Sequence, residues 1–131
     1  MQGIQKLFLY SEKFAVCKLD QNHEIPDWAI QENQPFYSIT KTEHELSITC
    51  LEKNVPSGVT SEGGWRALAL EGPLAFSQTG ILVSVIGPLA NGNISIFAIS
   101  TFDTDFILLK ADVLEQAITI LQERFIIVER E

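Results

Sequence analysis

The sequence predicts an α+β fold built from two small units in tandem, each with the order strand, helix, strand, strand, helix, strand. Three observations carry this expectation. The second half shows two helical apolar stripes separated by β-branched runs. The first half repeats the strand pattern with shorter helical pieces. One stretch rich in Pro, Ser and Gly, Asn54–Gly64, divides the chain near residue 60. Residues 1–60 are expected to form a degenerate first unit and residues 61–131 a complete second one, with antiparallel sheets packed side by side.

In the first half, Lys6–Tyr10 and Phe14–Leu19 read as strands around the turn Ser11-Glu12-Lys13. Pro26–Ile30 is expected to be a short helix with Pro at its first position. Phe36–Thr40 and Leu46–Leu51 alternate like strands, with Thr42–Glu45 as a helical turn between them. In the second half, Trp65–Glu71 is a strand closed by Gly72-Pro73. Ile81, Leu82, Val85, Ile86, Leu89 and Ala90 then form a helical stripe. Ser77 is its expected N-cap and Asn91-Gly92 its left-handed stop, while Pro88 removes one backbone bond. Ile94–Ser100 and Phe106–Lys110 are strands joined by Thr101–Asp105. Asp112, with Glu115 three residues on, is expected to cap a second helix whose stripe is Val113, Leu114, Ala117, Ile118 and Leu121. Phe125–Val128 is the last strand. This order is the split βαβ, ferredoxin-like unit.

Composition narrows the function. With 46% apolar residues and only 8 Gly and 5 Pro in 131 residues, the chain is globular rather than disordered. No apolar run approaches the ~20 residues of a membrane helix. Met1–Lys6 does not read as a secretory leader, so a cytoplasmic location is expected. The net charge of −8, with nine scattered Lys and Arg, argues against nucleic acid and anionic membrane as partners. Cys17 and Cys50 sit in apolar strands and read as buried, reduced thiols. His23 and His44 are isolated in polar surroundings, which gives no metal site and no cofactor. Motifs of nucleophilic or zinc-dependent hydrolysis are absent, and the glycine-bounded segment Gly72–Gly80 lacks the Lys of a phosphate loop. The chain reads as a non-enzyme.

Two features can nonetheless hold a ligand. The helix after Gly72–Gly80 presents unpaired N–H groups suited to a carboxylate, and Gly80 lets a ligand approach the backbone. Ser100-Thr101-Phe102-Asp103-Thr104-Asp105 reads either as a hairpin whose side chains satisfy the turn or as a carboxylate set to pair with a cation. A D-x-D metal site there lacks further ligands.

The run Gly72-Pro73-Leu74-Ala75-Phe76-Ser77-Gln78-Thr79-Gly80-Ile81-Leu82, followed by Pro88-Leu89-Ala90 and by Ile94–Asp105, resembles ACT domains, which are βαββαβ amino-acid-binding modules. Phe36–Thr42, Glu45–Cys50 and Gly64–Ala67 extend the likeness over nearly the whole chain. It is most similar to small bacterial tandem-ACT proteins and to the ACT units of animal cytosolic arginine sensors. The resemblance implies a free amino acid bound at the interface between units. Backbone groups around Gln78, Gly80 and Ile81 would receive its carboxylate and Asp105 would pair with its ammonium. Thr101 and Phe102 would shape the wall, and Ser47 and Ile48 would close the site from the first unit. Gln78 stands where the arginine sensors carry an acidic residue, so a preference for arginine does not follow. The expected role is a regulatory amino-acid sensor that signals through a homodimer or through a separate protein target. The alternative is an assembly module that keeps the packing surface and has lost the ligand.

Overall fold

The computed structural model describes residues 5–71 and 80–130. The strands are β1 (Gln5–Tyr10), β2 (Phe14–Leu19), β3 (Ser38–Lys41), β4 (Leu46–Leu51) and β5 (Ser61–Leu70). Helix α1 (Ile81–Asn91), strands β6 (Phe97–Ser100) and β7 (Asp105–Lys110), helix α2 (Leu114–Leu121) and strand β8 (Phe125–Arg130) follow. The chain falls into two units, Glu12–Trp65 on the one hand and Met1–Ser11 with Arg66–Glu131 on the other.

In the N-terminal unit the strand order is β3-β4-β2-β5, all antiparallel. Its two helices are reduced to single 3-10 turns, Asp27–Ile30 and Glu52–Asn54. Ala15, Cys17, Ala29, Leu46, Ile48 and Cys50 form its core, and Phe14 stacks on Phe36 at 4.7 Å between ring centroids. Pro26 is extended and stands one residue before its turn, because its fixed φ suits entry but its missing N–H adds no bond.

Two expectations fail here. Thr42–Glu45 is the tip of the β3–β4 hairpin, not a helical turn: Thr42 N–H donates to the Glu45 carbonyl at 2.9 Å, and Thr42 Oγ1 accepts the His44 and Glu45 amides at 3.1 Å. Strand β5 also begins at Ser61, inside the stretch read as linker. Pairing of Ser61 and Glu62 with Cys17 and Val16 outweighs the local preference of Gly63-Gly64. Glu52 Oε1 accepts the Gly64 amide at 2.7 Å, and a Cβ on Gly63 would meet that carboxylate.

In the C-terminal unit the strand order is β6-β7-β5-β1-β8. Strand β1 was expected among the first-half elements; it lies instead between β5, to which it is antiparallel, and β8, to which it is parallel. The choice follows burial: Leu7 and Leu9 join the core with Leu68, Leu70, Val85, Leu89, Ile107, Leu109, Leu121 and Phe125. Strand β5 gives residues 61–65 to one unit and 66–70 to the other.

Helix α1 runs through Pro88 and stops one residue later than expected. Gly92 is not left-handed; Asn93 is, with φ 61°. The amide of Asn93 donates to Ala90 at 3.0 Å and that of Ile94 to Leu89 at 2.9 Å, the bonding of a Schellman stop. Ile94 and Leu89 then meet in the core. The expected Asp112 cap does not form: Ala111–Val113 is a 3-10 turn, and α2 starts at Leu114 without a side-chain cap. The expected Ser77 cap lies outside the described residues. Among the described residues no helix is long and apolar enough to cross a membrane.

Candidate functional site

The β6–β7 hairpin carries the acidic group. Its last strand pair is Ser100 with Asp105, and beyond it the Thr101 amide donates to the Thr104 carbonyl at 2.8 Å. Thr101 Oγ1 accepts the Thr104 amide at 3.2 Å, so the tip is Phe102-Asp103. Phe102 is 78% exposed there. Asp105 is half-buried, and its Oδ1 accepts a hydrogen bond from the Ser100 hydroxyl. That donor is a neutral hydroxyl.

The hairpin is anchored by Thr104. Its hydroxyl donates to the Leu70 carbonyl at 2.6 Å, and β7 pairs with β5. The Asp105 turn therefore stands at the C-terminal end of β5, the end from which the chain departs towards α1. Leu70 is itself buried and paired with Leu7, which makes the anchor rigid. Sequence reasoning missed both Thr104 and Ser100 as supports of Asp105. The Ser/Thr spacing around the two aspartates was visible, but the 34-residue reach from Thr104 to Leu70 was not.

Gly80 begins α1 with φ 86° and ψ −11°, a conformation that favours glycine. A Cβ there would meet none of the described residues within 4 Å. The Gly80 carbonyl accepts the Ser84 amide at 2.8 Å, and Ser84 Oγ donates to the Ile81 carbonyl at 2.6 Å. The first amides of α1 keep the partial positive charge of a helix start. Ile81 is half-buried against the core, so only its backbone is available to a ligand. Gln78 lies outside the described residues.

Ser47 and Ile48 belong to the other unit. Ile48 is fully buried in that unit's core, paired with Cys17 and Ile39, and its side chain is a packing group. Ser47 is half-buried on β4, opposite Lys18 and Thr40.

Cys17 and Cys50 are buried and free, and each thiol is the other's main electrostatic neighbour. The Cys17 thiol first, and burial second, push the Cys50 thiol well above its ordinary range, so it stays protonated and unreactive. Among the described residues no group of three or more His, Cys, Asp or Glu could hold a metal ion. The D-x-D segment serves the hairpin.

Residues 60–123 match the family model described as ACT domain, and residues 12–58 match a second model described as an N-terminal domain. The chain is similar to cytosolic arginine sensor for mTORC1 subunit 1 of Rattus norvegicus, with 37% identity over 98 residues. That match covers 69% of this chain and 30% of the rat protein, so this chain spans less than a third of such a sensor's length. A solved protein of Agobacterium tumefaciens shares 35% identity at a TM-score of 0.89, over 99% of this chain and 96% of that one. The regulatory subunit of aspartate kinase from Thermus thermophilus has the same fold at a TM-score of 0.62 and 7% identity, covering 93% of this chain and 99% of that one.

Proposed function

The chain belongs to the ACT-domain family, and on that premise we propose that it is a regulatory protein whose C-terminal unit binds a free amino acid. ACT modules are regulatory and non-catalytic, and the present chain is one of them. The observation that carries the reading is the Thr104–Leu70 bond, which holds the Asp105 turn at the end of β5 that leads to α1. An amino acid has a carboxylate and an ammonium on one carbon. The first amides of α1, at Gly80 and Ile81, suit the carboxylate, and Asp105 suits the ammonium. Thr101 and Phe102 form the wall, and Gln78 stands two residues before Gly80 in the sequence. The neutral Gln78 gives a guanidinium no second anionic partner, so the proposed ligand is not restricted to arginine.

The relatives named as cytosolic arginine sensors favour the same role for this chain in the cytoplasm, with a protein target or a second copy as its output. A ligand drives such an output only by binding one of two states more tightly. Replacing Asp105 by Asn keeps the acceptor for Ser100 and removes the charge. Losing one partner of a buried charge pair at a binding site costs about 2–5 kcal/mol, roughly 30-fold to several thousand-fold in affinity. Calorimetric titration of the best amino acid into wild type and Asp105→Asn measures it directly. Equal affinities would remove Asp105 from the site, and no binding to wild type by any amino acid would favour the assembly-module alternative.

A further inference from the structure

A separate feature of the C-terminal unit lies about 13 Å along β5 from Leu70, at Arg66. Leu9, Ser11, Arg66, Glu129 and Arg130 line a cavity of about 360 Å³. That volume falls in the range of small-molecule pockets, about 300–1,000 Å³. Arg66 is half-buried, and its Nε and Nη2 both donate to the Tyr10 carbonyl, at 3.1 and 2.9 Å. Both of these bonds go to a neutral acceptor, so they orient the guanidinium without neutralising it. The ends of β1 and β8 are closed over one another by the Ser11 amide, which donates to the Arg130 carbonyl at 3.1 Å. The Arg130 guanidinium lies 3.6 Å from the centre of the Phe8 ring, on the face of the sheet opposite Leu9 and Glu129, which leaves Arg66 as the cation of this cavity. Leu9 is buried and provides an apolar wall.

We infer that this cavity is a binding site for a small monocarboxylate, distinct from the amino-acid site at Gly80 and Asp105. The carboxylate binds Arg66, Ser11 offers its hydroxyl to it, and the short apolar body rests on Leu9. Glu129, the one carboxylate among the described residues that line the cavity, limits the ligand to a single negative charge, because a second would face it. In a chain of net charge −8 with only nine Lys and Arg, an oriented Arg66 guanidinium at a cavity is a feature an anion can use.

The test is an NMR titration that follows the Arg66 Nε–H and the backbone amides of Leu9 to Ser11. The probes are lactate for the monocarboxylate, and succinate and inorganic phosphate for multiply charged anions. Lactate should give saturable shifts, with succinate and phosphate binding several-fold more weakly. Arg66→Gln should weaken lactate about tenfold or more, read on the same amides. Glu129→Gln, at an exposed position, should bring succinate up to the affinity of lactate, and this arm stays readable if Arg66→Gln fails to fold. Absence of saturation with lactate, equal binding of phosphate and lactate to wild type, or an unchanged succinate affinity in Glu129→Gln would overturn the inference. Lactate carries no ammonium, so its titration does not depend on Asp105, and either site can fail alone.

Discussion

Thr104→Val is the most informative single change, because it removes one hydroxyl and leaves the side chain's shape. The Thr104 Oγ1 bond to the Leu70 carbonyl is short, 2.6 Å, and part-buried. Its net contribution is about 0.5–1.5 kcal/mol, and an acceptor left without a partner costs about 1–3 kcal/mol. The new methyl group must also retreat from a carbonyl that held a hydroxyl at hydrogen-bond distance. A total of about 1–3 kcal/mol is expected, borne by the hairpin rather than by the helices. Hydrogen exchange reads this locally: the Thr101 and Thr104 amides, bonded within the turn at 2.8 and 3.2 Å, should exchange roughly 5- to 150-fold faster. Thr104→Ser keeps the donor and should behave as wild type. If Thr104→Val and Thr104→Ser exchange alike, the anchor is not what holds the Asp105 turn in place.

Three further outcomes are expected. Asn93→Ala forces an ordinary side chain into a left-handed backbone at the end of α1 and should cost about 1 kcal/mol in denaturant unfolding, whereas Asn93→Gly should be nearly neutral. Gly63→Ala should push the Glu52 carboxylate off the Gly64 amide and lose a charge-assisted bond worth about 1.5–3 kcal/mol; combining it with Glu52→Gln should add little, so additive losses would reject the account. A thiol reagent should modify Cys17 and Cys50 only as the protein opens, with both thiols reacting at once in denaturant; prompt labelling of either in the native protein would contradict their burial.

Much of this fold is legible where period and burial agree. The stripes Ile81–Ala90 and Val113–Leu121 mark both helices, and the short apolar runs mark β4, β7 and β8, because each of these elements buries one face and shows that face in its own period. What is not legible depends on distant partners. The early start of β5 needs Val16, Cys17 and Glu52 to compensate for two glycines. The placement of β1 needs β8, more than a hundred residues away. The α1 stop falls on Asn93 rather than Gly92 because Ile94 must reach the core beside Leu89. At the site, the acidic hairpin and the glycine at the helix start are readable as chemistry. Their support, through Ser100, Thr104 and Leu70, is tertiary and becomes visible only in three dimensions.

The central claim is that this chain binds a free amino acid, and a thermal-shift screen against the twenty amino acids tests it most directly. A ligand at a hundred times its Kd stabilises the folded state by about 2.7 kcal/mol, a rise of several degrees in Tm. Such a rise is expected for one amino acid or a small related set, reduced in Asp105→Asn. No shift with any of the twenty would contradict it and leave the protein as an assembly module.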